Sequence, residues 1–145
     1  MAVSPLACCE ALARTAAETC RQHERLARLI TLGVASAELE AAIAMVDTID
    51  LALAEAVTDF ERICATGSIS EIADLRAAAN ALWLSAREYL RRHSIAEKAS
   101  RQIAQRDEHT LEDLQMDYEL EASAMLGLKQ SSMAFQKLRP DSRGV

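Results

Sequence analysis

Apolar residues recur at alternating steps of three and four along most of the chain, the spacing of helices that pack through a heptad seam. The longest uninterrupted run is Ser68 to Asp107, which contains no Gly or Pro. There Ile72, Leu75, Ala79, Leu82, Ala86, Tyr89, His93, Ala96, Ser100 and Ile103 fall on one face. Ser68 and Glu71 open it at capping-box spacing. Upstream, Ser4-Pro5 reads as a helix start and Gly33 as a helix stop. The seam between them is Leu6, Cys9, Ala13, Ala16, Cys20, His23, Ala27 and Ile30. A second helix, capped by Ser36, reaches about Ala65 with the seam Leu39, Ile43, Val46, Asp50, Leu53, Val57, Phe60 and Cys64. Met45, Ile49 and Ile63 widen that stripe.

The repeat falters at Asp107 to Thr110 and resumes as Leu111, Leu114, Tyr118, Met125, Leu128 and Phe135, with Glu121 and Ser132 interrupting it. Four helices of roughly thirty residues joined by short connections predict an all-α, up-down bundle with coiled-coil-like packing. If residues 107–110 do not turn, the third and fourth helices merge into one rod, which could hide its seam only against another chain. The bundle is expected to occupy residues 1–139 as a single domain, with 140–145 a disordered tail after Pro140.

Composition supports the helical reading. Among 145 residues Ala is the commonest, while there are only four Gly, two Pro and five aromatics, too few for a sheet protein. The net charge of −6 disfavours attraction to a phosphate backbone. It is concentrated in residues 35–67, where seven acidic residues face one Arg. The four cysteines form no CxxC and include the vicinal pair Cys8-Cys9, which points to buried thiols in a reducing compartment rather than a disulfide or zinc scaffold. The N-terminus lacks a basic n-region and an apolar h-region, and no window approaches a membrane span. These features are those expected of a cytoplasmic protein.

Three polar residues break three seams: His23, Asp50 and His93. Counted from the turn near Gly33, they fall at similar heights in an up-down bundle, so they can share one layer. Such a layer is either a hydrogen-bonded register device, as a polar core position is in coiled coils, or a metal or acid–base site. None of the three histidines has Glu three residues before it, which excludes the Glu-x-x-His pattern of diiron bundles. Glu121 is a further interruption that either caps the polar layer by pairing with an Arg or points outward. No phosphate loop, nucleophile triad or HExxH motif is present.

Arg87-Glu88-Tyr89-Leu90-Arg91-Arg92-His93, an Arg and a His separated by five residues, resembles the short motif of HEPN-type ribonucleases. The resemblance covers seven residues and implies a dimeric helical bundle whose Arg87 and His93 act on an RNA phosphate. The same Arg-rich stretch reads equally as a solvated face or as a docking surface for an acidic partner.

The function these patterns favour is non-enzymatic: a helical interaction module that binds itself or another helical protein, without cofactor, metal, membrane or nucleic acid. The surface expected to carry it is Leu120, Met125, Leu128 and Met133 on the fourth helix, with Arg87, Arg91 and Arg92 on the third. The competing class is an enzyme or ligand-binding bundle built on His23, Asp50 and His93, with no catalytic residue assigned.

Overall fold

The computed structural model describes residues 5–65, 75–104 and 111–138. They form four helices: α1 (Pro5–Leu32), α2 (Ser36–Ala65), α3 (Arg76–Ala104) and α4 (Leu111–Leu138). α1 packs on α2 and α4, α3 packs on α4 and α2, and α1 touches α3 across the centre. The result is an all-α up-down bundle in which sequence neighbours are spatial neighbours. The contacts Ser85–Ser131 and His93–Glu121 run antiparallel, so α3 and α4 are separate helices and the single rod does not form.

Local chemistry sets the α1–α2 turn. Gly33 adopts φ +68°, its N–H donates to the Ile30 carbonyl at 3.2 Å, and Val34 N–H donates to Leu29 at 3.4 Å. This paired closure requires a left-handed residue, for which Gly has no steric penalty. α2 starts one residue earlier than the expected cap: the Ala35 carbonyl accepts from Glu38 and Leu39 N–H. Ala35 is therefore the N-cap and Ser36 the first helical residue. The expected caps Ser4 and Ser68, the joint at 107–110 and the tail 140–145 lie outside the described residues.

The core joins Leu12, Ala13, Ala16 and Cys20 of α1 to Leu53, Val57 and Phe60 of α2, Ala79, Leu82, Ala86 and Tyr89 of α3, and Leu128 and Phe135 of α4. On α3 the expected seam is followed closely, with Leu75 through Ala96 buried at its apolar positions. On α1 it is broader, because this helix faces both α2 and α4. Leu12 and Thr19, both off the expected seam, are fully buried. Thr19 satisfies its hydroxyl on the Thr15 carbonyl at 2.7 Å, as a buried donor must. Toward the α1–α2 turn Ile30 and Ile43 are exposed where core was expected.

Candidate functional site

The structure brings His23, Asp50 and His93 together and adds Tyr89 and Glu121 to them. Each side chain arrives from a seam position: His23 on α1, Asp50 on α2, Tyr89 and His93 one turn apart on α3, and Glu121 on α4. Asp50 is the hub, buried to 7 % exposure. Its Oδ1 lies 3.1 Å from His23 Nε2 and 3.0 Å from the Tyr89 hydroxyl. Its Oδ2 lies 3.1 Å from the same hydroxyl and 3.5 Å from His93 Nε2. Glu121 Oε2 meets the other ring nitrogen, His93 Nδ1, at 3.0 Å. The expected polar layer thus spans all four helices. Glu121 takes a histidine partner rather than an arginine or solvent.

Proton positions follow from these distances. The Tyr89 hydroxyl is also 2.7 Å from His23 Nε2, and it has one proton to give. If Tyr89 donated to His23, two lone pairs (on His23 Nε2 and Asp50 Oδ1) would face each other. The consistent arrangement has Tyr89 donating to Asp50, and His23 carrying its proton on Nε2. Burial and the Asp50 charge push the Tyr89 phenol far above its ordinary range, so it remains a neutral donor. The bond to Glu121 raises the His93 pKa against the opposing effect of burial, and the Asp50 charge adds to the rise. The rings pack as well: Tyr89 stacks on His93 at 5.8 Å, and His23 meets Tyr89 edge-on at 5.5 Å.

The arrangement is suited to holding protons and helix register. Among the described residues no group of three or more His, Cys, Asp or Glu is disposed to hold a metal ion. Two surface hollows border Tyr118 and Glu119 on α4, and Arg14, Glu18 and Ile49 on α1 and α2. Neither reaches the polar layer.

The other expected site residues separate. The Arg87 guanidinium lies over the Trp83 ring, 5.0 Å from its centroid, a cation–π contact on the α2 side of α3. It therefore does not converge with His93 within this chain. Arg91 and Arg92 both pair with Glu88, at 3.2 and 2.8 Å. On α4 the expected surface is divided. Leu120 and Met133 are exposed, but Leu128 is fully buried and Met125 packs against the core. Leu128 points inward because it shares the helical face of Ser132 and Phe135, both buried.

Tyr89 is the member that periodicity places in the core without assigning it a polar role. A tyrosine on a seam reads as an aromatic filler. The available signal was its hydroxyl, which must find a partner when the residue is wholly buried. Comparison of the chain with protein-family models, curated proteins and solved structures finds no match. Among the described residues no helix is long and apolar enough to cross a membrane.

Proposed function

We propose that the chain is a non-enzymatic helical interaction module that self-associates through the outer face of α3 and α4. The observation that carries this reading is a two-helix stripe of exposed apolar and small side chains. On α4, Met116, Leu120, Ser123 and Gly127 follow one another at steps of four, three and four, and Ala134 and Leu138 continue the line. Ser123 and Ser131 are its polar members, both small and uncharged, and exposed Gln130 borders it. On α3, Ala77, Ala81 and Leu84 keep the same spacing, and after Glu88 and Arg91 the line resumes at Ile95. Met116 is 61 %, Leu84 55 % and Leu138 51 % exposed. Both lines flank the 2.7 Å contact between Ser85 and Ser131 that sets the helices side by side. A Cβ added at Gly127 would meet nothing within 4 Å, so a partner helix has room to approach closely.

The occupant of this face is a second copy. The acidic side chains of α2 lie on another helix, and the α3–α4 face carries Glu88 with Arg91 and Arg92 near its middle. A face that is apolar at both ends and bears both charge signs at its centre complements itself under a two-fold rotation. A strongly basic or acidic partner would gain nothing comparable there.

A second reading draws on the polar layer itself: a ligand-binding or acid–base bundle that uses His23, Asp50 and His93. It is favoured by partial solvent access, since the His23 and His93 side chains are 19 % and 27 % exposed. The HEPN-like version needs Arg87 and His93 supplied across a dimer. Native mass spectrometry on protein purified without chelators separates the two readings. A metal-free, ligand-free dimer supports the interaction module. A metal, nucleotide or RNA fragment bound in fixed stoichiometry, to a monomer or a dimer, refutes it in favour of the second.

A further inference from the structure

His93 is the one side chain of the layer whose two ring nitrogens both face carboxylates. Nδ1 is 3.0 Å from Glu121, while Nε2 is 3.5 Å from Asp50 and 3.7 Å from Glu97. A neutral imidazole has one N–H and one lone pair. Whichever tautomer it took, that lone pair would be aimed at a carboxylate oxygen. Only the imidazolium presents a donor in both directions.

We propose that a proton on His93 is a structural part of this bundle: the imidazolium ties Asp50 of α2 to Glu121 of α4, and its loss loosens that join. This inference does not depend on self-association. Every packed element contributes to the environment of the ring. α1 presents His23, its ring 6.4 Å away and edge-on. α2 presents Asp50, and α3 stacks Tyr89 on the ring and adds Glu97. α4 presents Glu121, with Asp117 one turn earlier on the same half-buried face. Carboxylates therefore outnumber the possible cations around His93. The layer also stands where dense packing ends. Beyond it, toward the α1–α2 turn, the buried side chains among the described residues are Ala42, Val46, Ala96 and Ala99, with Leu26, Leu29, Leu39 and Leu114 half-buried, while Ile30, Leu32, Ile43 and Met116 remain exposed. The described residues bury smaller side chains there than in the main core, so the ionic join carries a larger share of what ties the helices together.

The sign of the pH dependence follows. The folded pKa of His93 lies above its ordinary 6.5, so its stabilising contribution is fully present below 6.5 and is lost as pH rises through the folded value. The test is an NMR titration of the His93 ring in the wild type, Glu121→Gln and Glu97→Gln, with thermal melts across the same pH range. The expected result is a wild-type His93 that titrates above 6.5, with Tm falling as it does so. Glu121→Gln, nearly isosteric, lowers that pKa and flattens the fall, and Glu97→Gln does so less because Glu97 is more distant and more exposed. A wild-type His93 titrating at or below 6.5, or a titration unchanged by Glu121→Gln, overturns the proposal. Should Glu121→Gln fail to fold, the wild-type titration alone decides.

Discussion

Replacing Tyr89 by Phe removes a single oxygen from the centre of the bundle. The ring keeps its packing, since Tyr89 is wholly buried and belongs to the core cluster. What is lost is a donor to both Asp50 oxygens, at 3.0 and 3.1 Å, and an acceptor for His23 at 2.7 Å. A hydrogen bond to a charged acceptor contributes about 1.5–3 kcal/mol. Asp50 keeps its two histidine neighbours, so the middle of that range applies and the expected loss is about 2 kcal/mol. For a chain of this size that corresponds to a fall in Tm of roughly 4–8 °C. The assay is urea and thermal unfolding by circular dichroism. All variants are compared at one protein concentration, because an associating protein melts in a concentration-dependent way. Tyr118→Phe, at an exposed tyrosine on α4, is the control and should change stability by less than about 0.5 kcal/mol. If Tyr89→Phe also stays within that margin, the hydroxyl is not engaged and the protonation scheme drawn for the layer is wrong.

Three further perturbations test other parts of the molecule. Leu128→Ala should cost about 2–5 kcal/mol because the side chain is fully buried. Met133→Ala on the same helix should cost under about 0.5 kcal/mol, and equal effects in denaturant melts would contradict the inward placement of Leu128. Gly33→Ala should destabilise by about 1–2 kcal/mol, the penalty for an L-residue in the left-handed region, and no change would mean the turn does not hold φ +68°. Cys8, Cys9 and Cys20 are all buried, and burial pushes the Cys20 thiol up to about 11. Alkylation followed by peptide mass mapping should label these three slowly when folded and quickly in denaturant; fast labelling of Cys20 in the native protein would argue against its burial.

Much of this architecture is legible in the periodicity, and the reasons for the misses are physical. Gly33 and Pro5 mark the ends of α1, and the α3 seam names nearly all the residues that helix buries. Helical rise alone puts His23, Asp50 and His93 at one height. A seam of period seven describes a helix with one facing partner, which is why it passes over Leu12 and Thr19 on the two-sided α1. On α4 the seam does mark the stripe that faces inward. The seam groups Met125 and Leu128 with Ser132 and Phe135, which carry the inward face; the expected contact surface placed Met125 and Leu128 outward with Leu120 and Met133 because a Met-rich helix suits adaptable contacts. Ile30 and Ile43 read as core because a heptad pattern does not show how much of each seam the neighbouring helices cover. The role of Tyr89 depends on three helices converging on one carboxylate, a tertiary fact with no local signature.

Whether copies of this chain meet across α3 and α4 is decided by sedimentation equilibrium of the wild type against Leu84→Glu and Leu120→Glu, each with a far-UV spectrum. Both substituted positions are exposed, at 55 % and 38 %, so the helices should survive while the face acquires a buried charge in any dimer. Self-association through this face predicts a dimeric wild type and folded, monomeric variants. A wild type that stays monomeric across the concentration range, or folded variants that still dimerise, would contradict it.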